Sequence, residues 1–86
     1  MVSKKVRESN EYKGFNIRLE TARQLGDSCD GKGVIKMLLW AKEDRDRVFD
    51  RVEGMTPTDY QDVTREFENA IDDIVTILRN KCQCRF

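Results

Sequence analysis

The chain has no histidine, one proline, one tryptophan and three cysteines in 86 residues. Each scarcity excludes something. Without histidine there is no imidazole to act as a general base. The three cysteines are an odd number and fall short of the four Cys or His ligands that a structural zinc site uses. Cys29 lies in a predicted loop, and Cys82 and Cys84 form a C-x-C near the end. The expectation is free thiols, no disulfide framework, no metal and no cofactor. No apolar run approaches the ~20 residues that cross a bilayer. The opening Met1-Val-Ser-Lys-Lys leads into polar sequence rather than an apolar leader. A cytoplasmic protein without membrane contact is therefore expected.

An excess of either charge sign is also missing. Sixteen Lys and Arg balance sixteen Asp and Glu, which removes any global pull toward nucleic acid. The charges are unevenly placed. Eleven acids against five bases lie between Ala41 and Ile77, whereas Lys4, Lys5, Arg7, Arg79, Lys81 and Arg85 make both ends basic. Head-to-tail association would suit that distribution, and solvated ends are the plainer reading.

The strongest pattern that is present runs from Thr56 to Cys82. Thr56 is a good N-cap, Pro57 suits the first helical position, and Asp59 three residues on can complete a capping box. Tyr60, Val63, Phe67, Ala70, Ile71, Ile74, Ile77 and Leu78 follow at spacings of three and four, one face of a helix. Arg79 and Lys81 fall where cations favour the last carbonyls. Such a helix would run roughly 37 Å at 1.5 Å per residue.

Upstream, residues 1–9 read as a flexible charged arm. Asn10 is a candidate cap, and Tyr12, Phe15, Leu19 and Ala22 form a helical seam that Gly26 would end. The same stretch carries a competing signal, because Phe15, Ile17 and Leu19 alternate with polar residues as in a strand. Helix is preferred, since a lone short strand has no evident partner. A second helix is predicted over 33–53, joined through Gly54 and Met55 to the long one over 57–81. A short connection makes antiparallel neighbours. The expected architecture is all-α: a small three-helix bundle dominated by a long antiparallel helical hairpin. It occupies residues 10–82, with helices at about 10–25, 33–53 and 57–81 and a tail at 83–86.

Two templates test the loop GDSCDGKG at 26–33. Gly26-x-x-x-x-Gly31-Lys32 matches the first positions of a phosphate-binding P-loop. Gly33 stands where the magnesium-binding hydroxyl belongs, and no strand precedes the loop. A calcium loop fails at its first and twelfth positions, Gly26 and Met37. What remains is an anion at Lys32 and the following helix N-terminus.

The carboxylates Glu43, Asp46, Glu68 and Asp72 loosely resemble the acidic helices of all-alpha nucleotide pyrophosphohydrolases of the MazG type. That resemblance implies magnesium held by paired E-x-x-E and E-x-x-D signatures. This chain departs from them, with Glu43-x-x-Asp46 on one helix and Asn69-x-x-Asp72 or Glu68-x-x-x-Asp72 on the other. At ~100° per residue these groups point away from the apolar faces and diverge.

The outward face of the middle helix is more informative. Its core-facing residues are Val34, Leu38, Ala41, Val48, Phe49 and Val52. Lys36, Trp40, Arg47 and Arg51 cluster on the other side within roughly a quarter-turn. Trp and Arg are typical anchors of binding hot spots, and they also stack on bases. The bland alternative is that another segment folds over Trp40. Arg45 projects into the apolar stripe and needs a partner, such as Glu66, an interface or an anionic ligand; snorkelling at the rim is the bland alternative.

The sequence thus points to a small non-enzymatic protein-binding factor, an accessory, inhibitor or adaptor of a bacterium, phage or mobile element. It would dock on a larger protein and self-associate, most simply as a dimer. The alternatives are an anion, nucleotide or nucleic-acid binder using the Lys36/Trp40/Arg47/Arg51 face, and a magnesium-dependent nucleotide hydrolase.

Overall fold

The computed structural model describes residues 2–82, which form four helices and no strand. They are α1 (Lys4–Arg7), α2 (Asn10–Asp27), α3 (Gly31–Arg51) and α4 (Pro57–Lys81). The three long helices make the expected all-α bundle, a rod of 43 × 18 × 17 Å. The tail at 83–86, with Cys84 and Arg85, lies outside the described residues.

α4 begins as its sequence dictates. The Asp59 amide donates to Thr56 Oγ1 at 3.1 Å and the Thr56 amide donates to Asp59 Oδ2 at 3.2 Å, a complete capping box. Val63, Ala70, Ile74 and Leu78 bury the stripe. Before α4 the chain turns at Gly54, whose φ of 75° suits glycine.

Residues 12–22 are helical. The decisive residue is Ile17: Phe15 and Leu19 are buried, whereas Ile17 is 65% exposed. A strand would have put all three on one side.

α2 runs past Gly26, which does not end it. The Asp30 amide donates to the Leu25 carbonyl at 2.9 Å and the Cys29 amide to the Gly26 carbonyl at 3.0 Å. That is a Schellman turn with Cys29 in the left-handed position, φ 60°, that glycine usually fills. Gly26 lies buried inside the last turn of α2, where a Cβ would make only an ordinary 3.5 Å contact with Ile74. The loop therefore shrinks to Ser28–Asp30 and α3 starts earlier than predicted, at Gly31.

The closest helix pair is α2 with α3, antiparallel across that loop. Small residues explain it. Gly14 lies against Asp44, and Ala22 and Ala41 are fully buried, so little bulk separates these two axes. The seam between α3 and α4 holds large groups instead. Phe49 and Tyr60 rings lie 4.9 Å apart, and the Arg45 guanidinium sits over Phe49 and Phe67. α2 and α4 run parallel, tied by Tyr12 to Glu66 and Arg23 to Asp73.

Two expectations are corrected. The N-terminal residues are not a loose arm. Val2 and Val6 are buried, and Ser3 donates from N and Oγ to the Asp59 carboxylate at 2.9 and 3.1 Å. The Ser3 and Thr56 amides hold that carboxyl below its ordinary value of 3.8. The segment joins the core because Asp59 of α4 offers it a carboxylate and the cluster around Tyr12, Phe15, Val48 and Val63 takes its valines.

Nor are Cys29 and Cys82 free thiols. They form a disulfide with Cα atoms 5.6 Å apart, joining the α2–α3 turn to the end of α4 across 53 positions. The odd cysteine count concealed a pair that the parallel course of α2 and α4 brings together.

Candidate functional site

The best-built polar cluster lies on the α2–α3 face. Its anchor is Asp44, a nearly buried carboxylate on α3. Arg47, one turn on, donates from a guanidinium nitrogen to Asp44 Oδ1 at 2.8 Å. Arg18, from α2, donates through Nε to Asp44 Oδ2 at 3.2 Å. Charge-assisted bonds of this kind fix side-chain direction as well as energy. With Nε held, the Arg18 guanidinium carbon lies 4.5 Å from the centre of the Trp40 ring, and Lys36 Nζ lies 5.4 Å from it. Both distances are within cation–π range. Trp40 itself stays 39% exposed. The result is an indole partly open to solvent between two cations, one of which, Arg18, is positioned by a carboxylate that also holds Arg47.

Of the sequence-selected residues, Lys36, Trp40 and Arg47 belong to this cluster. Arg51 is exposed in the last turn of α3 and has no ion pair among the described residues. Arg18 and Asp44 were not selected. The Asp44-x-x-Arg47 spacing was a local signal for an ion pair. Nothing local marked Arg18, which arrives from another helix.

The two further candidates resolve differently. Lys32 is exposed beside the α3 N-terminus, but that terminus is already occupied. Asp30 is the N-cap, and its Oδ1 accepts from the Gly33 amide at 3.0 Å. The chain's own carboxylate stands where an anion would sit. Gly33 permits this, because a Cβ there would meet Asp30 Oδ2 at 2.5 Å. Arg45 is mostly buried between the Phe49 and Phe67 rings, at 5.9 and 5.2 Å, with one guanidinium nitrogen 3.6 Å from Asp46. Glu66 is not its partner. Glu66 accepts the Tyr12 hydroxyl at 2.6 and 2.9 Å on the opposite seam. Burial first, and that bond second, push the Tyr12 phenol up to about 12, so it is a proton donor at neutral pH. A cleft of about 240 Å³ opens beside it, lined by Asn16, Arg23 and Asn69.

Glu43, Asp46, Glu68 and Asp72 are all exposed. No group of three or more potential metal ligands gathers among the described residues. No helix among them is long and apolar enough to cross a membrane. Comparison with protein-family models, with curated proteins and with solved structures gives no match.

Proposed function

We propose that this chain is a small non-enzymatic protein-binding factor that docks the α2–α3 face around Trp40 on a larger protein. One observation carries the reading: Trp40 is partly exposed under Arg18, and the nearly buried Asp44 holds Arg18 together with Arg47 further along α3. Aromatic and Arg anchors dominate binding hot spots, and groups already held in place lose less entropy on association. The Asp44 carboxylate also takes up charge from two guanidinium groups. That weakens the same face as a phosphate site and favours a protein partner over a nucleic acid. The Cys29–Cys82 disulfide suits an oxidising setting better than the cytoplasm expected from the sequence.

The test is retention of proteins from a lysate of the source cells on the immobilised chain. Trp40→Ala with Lys36→Glu is expected to lose the retained partner, a weakening of about 2 kcal/mol or more. Far-UV circular dichroism should stay unchanged. A partner held equally by both proteins contradicts the assignment. Oligonucleotides and nucleotides form the control arm, and salt-sensitive quenching of Trp40 by them would favour the anion-binding alternative instead.

A further inference from the structure

The side of α3 turned away from both α2 and α4 carries a second, separate feature. Ile35 and Leu39 stand 58% and 59% exposed there, four residues apart on one helical face. The charges beside them are sorted along the helix. Lys32 and Lys36 lie toward its N-terminal end and Glu43 and Asp46 toward its C-terminal end, while Lys42 stands on the other flank, beside Ile35; all five are exposed. Along the Lys32, Lys36, Glu43 and Asp46 line the signs reverse about Leu39. Lys32 lies seven positions before it and Asp46 seven after; Lys36 lies three before and Glu43 four after.

A surface that is apolar in the middle and opposite in sign at its two ends complements itself when turned end over end. We propose that two copies of this chain dimerise by packing α3 against α3 antiparallel, with the twofold axis at Leu39. Leu39 then meets Leu39, and Ile35 of each copy covers the flank of the other's apolar patch. Lys32 of each copy faces Asp46 of the other, and Lys36 faces Glu43. The parallel alternative sets Lys32 against Lys32 and Asp46 against Asp46, and like charges opposed at an interface are costly. A twofold contact is also the commonest symmetry of homo-oligomers. A single helix face from each copy makes an interface below ~1,200 Å², so the dimer belongs to the weak, reversible class. This inference is independent of the Trp40 docking face, although Lys36 borders both.

Sedimentation equilibrium of the whole chain over a concentration series tests it. The average mass should climb from one chain toward two, and added salt should weaken the association. Leu39→Arg should weaken it by about tenfold or more by burying an unmatched charge. Lys32→Glu with Lys36→Glu makes the paired line of charges acidic throughout, and Glu43→Lys with Asp46→Lys makes it basic throughout. Each variant alone should self-associate about tenfold or more weakly, and an equimolar mixture should recover a heterodimer of wild-type affinity or better. All the altered residues are exposed, so helix content should be unchanged. A wild-type chain that stays monomeric, variants that self-associate like wild type, or a mixture that fails to recover would each overturn the proposal. A monomer that instead binds an amphipathic peptide through Leu39 would transfer the face to another partner.

Discussion

Replacing Phe15 with alanine will destabilise the fold by about 3–5 kcal/mol, while Ile17→Ala two positions on will change it by less than about 0.5 kcal/mol. Phe15 is fully buried, with ring centres 6.2 Å from Tyr12 and 6.3 Å from Phe67. It belongs to the same cluster as Val6, Ala41, Val48 and Val63, so all three long helices and α1 meet around it. Truncation removes apolar contact and leaves a hole that close-packed neighbours fill only in part. A domain of this size has a total stability of only roughly 5–10 kcal/mol, so the variant should unfold readily in low urea. Ile17 points to solvent and has little to lose. Urea titrations followed by circular dichroism measure both. Equal losses at the two positions would contradict the helical assignment of this segment, because only an alternating strand sets them on one buried face.

The second large effect concerns the bridge. Removing it with Cys29→Ser and Cys82→Ser should cost about 2–4 kcal/mol, near the upper end because the closed loop is long. The bridge spans 53 positions and restrains the unfolded chain more than the folded one. Ala22, Val34, Ile74 and Leu78 pack beneath that end of the rod, so the folded variant keeps its helices. The urea midpoint of the wild-type chain should fall on adding a dithiol reductant. The double serine variant should start at the lowered midpoint and ignore the reductant. A wild-type midpoint indifferent to reductant would show that the two thiols do not constrain the chain.

How far the sequence could be read depended on the range of the interaction. α4 was legible because its cap, its proline and its stripe are all local, and its predicted bounds are the observed ones. The α2 terminus was misplaced because glycine is the usual left-handed residue, and here Cys29 takes that role while Gly26 stays inside the helix. Arg45 was correctly picked out as anomalous, but its surroundings are two aromatic rings rather than Glu66. The N-terminal segment looked featureless because two valines among charged residues make no periodic pattern. They become core only once the three long helices have assembled. The candidate site divides in the same way. Trp40, Lys36 and Arg47 share one helix, so a wheel finds them. The Arg18–Asp44 contact that orients the group joins residues 26 apart in sequence.

The account rests on Trp40 being held half-covered by an arginine that Asp44 positions. Trp40 is the only tryptophan, so its fluorescence reports this site alone. Acrylamide quenching of the wild-type chain and of Asp44→Asn is the most direct measurement. The expected wild-type rate lies between those of buried and free indole, and Asp44→Asn should raise it clearly, at unchanged helix content, as Arg18 leaves the ring. Wild-type quenching as fast as free indole, or a rate untouched by Asp44→Asn, would contradict the claim.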